Sequence, residues 1–268
     1  MPNLMRVGVL LLFAILFVCS LHAGEKGGFA DVNGIRIYYE IHGEGKPLLL
    51  LHGGLGSTDS WSKQLRAFSR EFKVIAMDSR GHGRSTFDET SISYDLMTRD
   101  VIGLMDHLEI AKAHVVGWSD GGIIGLMLAL DHPDRLDRLV ALGACYRFDG
   151  VREDIMENPT FVSFLESAAA DYRKISPAPQ RWDEFMANIG KMWATEPSLT
   201  AEQLGAITAP VLIVTGEDEE VIHDRHTREL AELIPTAELE LIPGTGHFAC
   251  WEKAGEFNRV VLDFLERE

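Results

Sequence analysis

The stretch Ala113-His114-Val115-Val116-Gly117-Trp118-Ser119-Asp120-Gly121-Gly122-Ile123-Ile124-Gly125-Leu126-Met127-Leu128-Ala129-Leu130 decides the fold. Its first part, AHVV, is a short apolar run of buried-strand type, and its last, GIIGLMLAL, has the length of a buried helix. Between them the pattern Gly117-x-Ser119-x-Gly121 makes the chain turn sharply, with a serine at the apex. The backbone approaches itself closely in such a turn, which demands glycine on both flanks. The serine is forced into a strained conformation that exposes its hydroxyl above the sheet. The bare pattern arises by chance as a structural turn. The strand before it and the helix after it are what mark Ser119 as a nucleophile.

Working outward, short apolar runs of the same buried type occur at 47–51, 73–77, 136–142, 211–215 and 237–242. Segments of helical period lie between most of them, at 60–68, 94–108, 122–130, 226–233 and 256–265. Strands apolar on both faces and alternating with helices predict an α/β fold, a mostly parallel central sheet with helices on both faces. Near the start, 29–32 and 35–41 flank Asn33-Gly34, a two-residue hairpin signal that adds antiparallel strands at one edge. Residues 146–207 break the alternation. They contain no strand-like run but many aromatics (Phe148, Phe161, Phe164, Tyr172, Trp182, Phe185, Trp193), with a break at Ser176-Pro177-Ala178-Pro179. This reads as a small helical cap inserted before the penultimate strand, over the C-terminal edge of the sheet. Its aromatics either line a pocket or simply pack the cap onto the core. The α/β core then comprises 28–145 and 208–268.

Composition narrows the classes further. Of the 268 residues, 46% are hydrophobic and 25% charged, which excludes a disordered chain, and 3 Cys exclude a disulfide scaffold. The net charge of −16 makes nucleic acid and anionic lipid poor partners, because a phosphate lattice is bound by clustered Lys and Arg. At the N-terminus, Arg6 precedes the apolar run VGVLLLFAILFVC (7–19), too short to span a bilayer comfortably, followed by Leu21-His22-Ala23. Residues 1–23 are therefore expected to be a signal peptide cleaved after Ala23, giving a periplasmic or secreted protein. An uncleaved membrane anchor is the alternative.

A serine hydroxyl needs a base and a group that orients that base. The run at 211–215 ends in Gly216 and four acids, Glu217-Asp218-Glu219-Glu220, and the last strand is followed by Pro243-Gly244-Thr245-Gly246-His247. The order Ser, acid, His, together with Leu51-His52-Gly53-Gly54-Leu55-Gly56 and Asp78-Ser79-Arg80-Gly81-His82-Gly83-Arg84-Ser85, resembles the α/β-hydrolase fold family, in particular its single-domain serine esterases. From about residue 28 to the end, that resemblance implies catalytic Ser119 and His247. It also implies an oxyanion hole from the backbone N–H groups of Gly54 and Asp120, where side chains are free to vary. The family commonly carries Asp three residues after the strand-ending Gly. That position is Glu219 here, with Asp218 one residue earlier, so Glu219 is favoured on register and Asp218 stays open. Glu217 and Glu220 are expected to be solvated.

Among the other histidines, His52 and His82 are expected to pin loops, and His42, His107 and His114 show no partner pattern. His223 and His226 are expected to form a surface pair at a helix start rather than metal ligands. No dinucleotide fingerprint or phosphate loop occurs, so no cofactor or metal is implied. Cys145 and Cys250 are expected to be buried free thiols, although both fall at the same edge of the sheet. The functional expectation is a serine hydrolase acting on a small or medium carboxylic ester or related acyl compound. Carbon–carbon bond hydrolysis, lactone hydrolysis and perhydrolysis on the same residues are the alternatives, and a non-catalytic binding homologue is a weaker one. Epoxide and haloalkane hydrolases require a carboxylate where Ser119 stands. The expected partner is a small acyl substrate, with no nucleic acid and no stable membrane partner after signal cleavage.

Overall fold

The computed structural model describes residues 27–267, so the signal segment 1–23 lies outside the described residues. In chain order the elements are β1 (Gly27–Val32), β2 (Ile35–His42), β3 (Lys46–Leu51), α1 (Leu65–Phe68), β4 (Phe72–Met77), α2 (Tyr94–His107), β5 (Ala113–Trp118), α3 (Asp120–Asp131), β6 (Leu136–Leu142), α4 (Pro159–Ile175), α5 (Trp182–Trp193), α6 (Ala201–Gly205), β7 (Val211–Gly216), α7 (Asp224–Leu233), β8 (Ala237–Ile242), α8 (Ala249–Glu252) and α9 (Ala254–Leu265). The strands form one sheet in the order β1-β2-β4-β3-β5-β6-β7-β8, parallel from β4 to β8, with β1 and β2 antiparallel at one edge. The hairpin turns as its sequence requires, with Asn33 at φ 46° and Gly34 at φ 82°.

Strand residues alternate faces, and the core divides accordingly. Leu49, Leu51, Val115, Leu139, Ala141 and Ile213 face one hydrophobic layer with α2 and α3. Leu48, Leu50, Val116, Val140, Leu142 and Val214 face the other, beneath α9. After β3 the chain runs to β4 on one side and then crosses back to β5 on the other. The loops after β3 and β5 therefore flank a crevice at the carboxyl ends of the strands, the place where open α/β sheets bind ligands.

Two local expectations change. Residues 60–68 form a short 3-10 turn (Thr58–Trp61) and the single turn α1 in place of one helix. Ser57 caps the first piece, and the backbone N–H groups of Ser62 and Gln64 close 3-10-type bonds onto Asp59 and Trp61. Between β6 and β7 lie α4 and α5, separated at Ser176–Pro179 where proline cannot continue a helix, then the short α6. Phe185 and Tyr172 of this segment are buried in the core, whereas Phe148 is exposed.

The loop after β4 is held by a buried ion pair. Arg80 donates from Nε and Nη2 to the Asp100 carboxylate at 2.6 and 2.8 Å, and Asn33 Nδ2 donates to the same group at 2.9 Å. The pair joins the hairpin, this loop and α2. Removing one partner strands a charge in the interior, so Asp100→Ala is expected to lower unfolding free energy by about 3–5 kcal/mol in a denaturant titration. A loss below about 1 kcal/mol would show that the pair does not hold these elements together.

Candidate active site

Ser119 sits between β5 and α3 at φ 52° and ψ −116°, a strained conformation for a residue with a side chain. Crowding explains the flanking glycines. A Cβ at Gly117 would fall 2.2 Å from the Gly121 carbonyl oxygen, and one at Gly121 would fall 2.0 Å from that of Leu51. Both glycines therefore let α3 seat directly on the ends of β5 and β3.

Of the four acids after β7, the structure brings Glu219 to His247. Its Oε1 lies 2.8 Å from His247 Nδ1, and both side chains are 4% exposed. Glu219 is fixed by further donors: Oε1 accepts from the backbone N–H groups of Val221 and Ile222 at 2.9 and 3.2 Å, and Oε2 from the Thr215 hydroxyl at 3.0 Å. Asp218 is exposed, with its backbone N–H bound to the Thr245 carbonyl. Glu220 corrects an expectation. It is not simply solvated, because its Oε2 accepts the backbone N–H of His247 at 2.8 Å and so clamps the histidine loop.

Burial works to raise the Glu219 carboxyl, but the charge and hydrogen bond of His247 and the two backbone N–H groups outweigh it and hold it below its ordinary value. Burial likewise opposes the His247 imidazolium. The Glu219, Glu220 and Asp120 carboxylates outweigh that penalty and raise its pKa above the ordinary histidine value. An ionised Glu219 only accepts, so Nδ1 carries the proton in the neutral imidazole and Nε2 keeps its lone pair free to act as a base.

Gly54, Asp120, Ser119 and His247 border one cavity of about 440 Å³. The rest of its wall is largely apolar, including Ile123, Val151, Phe161, Leu165 and Met186. Phe161, Phe164 and Trp193 of the 146–207 segment do line it. Its carboxylates are Asp120 and Glu196, and among the described residues no Lys or Arg borders it.

The side chains next to the proposed oxyanion donors are not free to vary. The buried Asp120 carboxylate accepts from Tyr94 Oη at 2.7 Å and from Trp193 Nε1 at 3.0 Å. A Cβ at Gly54 would lie 2.4 Å from the Trp193 ring and 2.6 Å from Asp120 Oδ2. Burial raises the Asp120 carboxyl above its ordinary range, against the pull of those two hydrogen bonds. Glu196 Oε2 accepts the Tyr94 N–H at 3.0 Å, so the segment 193–196 is fastened to the core at two points beside Ser119. Sequence reasoning missed this cluster because its members lie far apart in the chain. The one local signal was an acid directly after the nucleophile.

The remaining histidines divide. His52 pins its loop, lying 2.7 Å from the Gly53 carbonyl and accepting the Ser79 N–H at 3.0 Å. His42 has a partner after all, Glu40 at 2.8 Å. His226 is not a surface residue. It is buried, accepts the Tyr146 N–H at 3.1 Å and stacks on the Tyr146 ring at 4.2 Å. Cys145 and Cys250 are buried free thiols, and burial pushes both upward in pKa.

A family model described as alpha/beta hydrolase fold matches residues 46–180 and 166–254. The chain belongs to that family and is a hydrolase. A Caulobacter sp. protein whose name provisionally assigns it carbamate hydrolysis is 32% identical, over 87% of this chain and 96% of its own. Among solved structures, a variant of a meta-cleavage product hydrolase from Pseudomonas fluorescens is similar at a TM-score of 0.77 and 28% identity, covering 90% of this chain and 97% of that one. An enol-lactonase from Burkholderia xenovorans is similar at 0.73 and 26%, covering 90% and 100%.

The electrostatics of His247 are testable by NMR titration. In the wild type its imidazole titrates above about 6.5. Glu219→Gln removes the largest opposing interaction, so burial prevails and the pKa falls, whereas Asp218→Asn leaves it in place. An unchanged His247 titration in Glu219→Gln would contradict this assignment.

Proposed function

We propose that the protein is a serine hydrolase of small or medium carboxylic esters whose acyl part bears no negative charge, working through Ser119, His247 and Glu219. The observation that carries this reading is the buried 2.8 Å contact between Glu219 and His247, on the cavity that Ser119 also borders. Ser119 Oγ attacks the acyl carbon while His247 Nε2 takes its proton, and Glu219 holds the imidazolium. The backbone N–H groups of Gly54 and Asp120, the latter at the positive end of α3, receive the tetrahedral oxyanion. Collapse breaks the C–O bond, and His247 gives its proton to the departing alcohol. Water, deprotonated by His247, then hydrolyses the acyl-enzyme and restores Ser119.

The charge of the cavity supports the substrate class. A carboxylate on the acyl group would meet Asp120 and Glu196 and no basic side chain among the described lining residues. A second reading, carbon–carbon bond or lactone hydrolysis on the same three residues, draws on the relatives named for those activities.

Residues 1–23 are read as an export signal, so intact-mass analysis of the exported protein is expected to find a chain starting at Gly24. A retained segment would favour the anchored form. The chemistry is tested by treating the folded protein with a fluorophosphonate and locating the adduct by mass spectrometry. One equivalent on Ser119, abolished in Ser119→Ala, is expected. A folded wild-type protein that takes no label there would refute the proposal.

A further inference from the structure

Three helix ends meet on one carboxylate. Asp120 is the first residue of α3, Tyr94 the first of α2 and Trp193 the last of α5. Tyr94 Oη donates to Asp120 Oδ1 at 2.7 Å, and Trp193 Nε1 donates to Oδ1 and Oδ2 at 3.1 and 3.0 Å. Each donor is itself held. Tyr94 is buried, and its backbone N–H is bound by Glu196 Oε2 at 3.0 Å. Trp193 ends a helix that Phe185, Ile189 and Met192 seat in the core, each at most 1% exposed. The carboxylate is therefore gripped by side chains from two other elements, both fixed in place.

Trp193 also touches the loop after β3. A Cβ at Gly54 would lie 2.4 Å from its ring and 2.6 Å from Asp120 Oδ2, so the Gly54 backbone packs against both. Among the described residues no hydrogen bond occupies the backbone N–H of Gly54 or of Asp120. These are the two groups assigned to the oxyanion, and one indole bridges the residues that carry them.

An oxyanion hole stabilises charge only if its donors are in position before the charge develops, so whatever fixes those donors bears on rate. The carboxylate adds a second demand. Its charge suits the positive end of α3, but Asp120 borders the cavity in which the oxyanion forms, and like charges repel. Hydrogen bonds from Tyr94 and Trp193 offset that charge on the side away from the reaction. We propose that Trp193 and Tyr94 are positioning residues for the oxyanion hole, fixing its two N–H donors through the Asp120 carboxylate and the Gly54 backbone. Both act through other residues. The 146–207 segment thereby contributes to transition-state stabilisation as well as to the pocket wall. The proposal rests on the reading of Gly54 and Asp120 as oxyanion donors.

Trp193→Phe and Tyr94→Phe each remove one donor and keep an aromatic ring. With p-nitrophenyl butyrate, each is expected to lower kcat on the order of tenfold, short of the 10²- to 10³-fold cost of deleting an oxyanion donor, and to leave KM within about threefold. Two ketones of equal chain length separate positioning from a merely structural role. With trifluoromethyl hexyl ketone, Ser119 Oγ bonds to the carbonyl carbon, its proton passes to His247 and the carbonyl oxygen becomes an oxyanion. Methyl hexyl ketone binds without that addition. Affinity for the first is expected to fall by the same factor as kcat, and affinity for the second to change by less than about threefold. A kcat within about threefold of wild type in either folded variant, or equal losses of affinity for the two ketones, would overturn the proposal. Tyr94→Phe deletes a single hydroxyl and carries the test where Trp193→Phe does not fold. A wild type that turns over the ester but binds both ketones alike would overturn the reading of Gly54 and Asp120 as donors, and the proposal with it. A wild type inert toward the ester would overturn the hydrolase reading itself.

Discussion

A side chain at Gly121 would begin 2.0 Å from the carbonyl oxygen of Leu51, and one at Gly117 would begin 2.2 Å from the carbonyl of Gly121. This close contact between the end of β3, the end of β5 and the first turn of α3 governs the geometry of the site. It holds Ser119 in a strained conformation, and it sets the start of α3 at Asp120 beside the cavity that Gly53 and Gly54 also border. The strain is affordable because both faces of β3 and β5 are buried in the two apolar layers, so the surrounding sheet over-determines the turn. The distortion is concentrated at one residue, the one to which the proposed mechanism gives the nucleophilic role.

Around that turn the molecule arranges carboxylates. Three of them, Glu219, Glu220 and Asp120, favour the protonated form of His247, yet each is held by a different set of donors. Glu219 makes the direct contact, Glu220 holds the histidine's own backbone, and Asp120 ties the core to Trp193 of the segment over the sheet. The resulting pKa has a consequence for rate. Under the proposed mechanism His247 acts as a base only when neutral, so kcat/KM is expected to rise as pH increases through a value above the ordinary histidine pKa, and the carboxylates around the base delay its onset.

The sheet was legible in the sequence because its strands are short, apolar on both faces and bounded by glycine or charge. Each of the eight runs became a strand with ends shifted by at most a few residues. The turn at Ser119 and the histidine loop were equally plain, since glycines there answer a steric demand that local sequence reveals. What the sequence hid were the contacts between distant residues. Nothing near Glu220 announces that it accepts the N–H of His247, and nothing near His226 announces that its ring stacks on Tyr146, 80 positions away. The register of the family that the sequence resembles favoured Glu219 over Asp218, but only the folded loop separates a carboxylate bound by two backbone N–H groups from an exposed neighbour. The 3-10 turn at Thr58–Trp61 was missed for a similar reason. Its cap on Ser57 and the Asp78 carboxylate that binds the Thr58 N–H at 2.6 Å override a helical period.

The account stands on the pairing of Glu219 with His247, and catalysis measures that pairing most directly. For p-nitrophenyl acetate turnover by folded variants, Glu219→Gln is expected to lower kcat by on the order of 10³- to 10⁴-fold, because the imidazole loses its orienting carboxylate. Asp218→Asn is expected to change it by less than about threefold, the scale of a surface substitution. A near wild-type rate for Glu219→Gln, or a large loss confined to Asp218→Asn, would contradict the account.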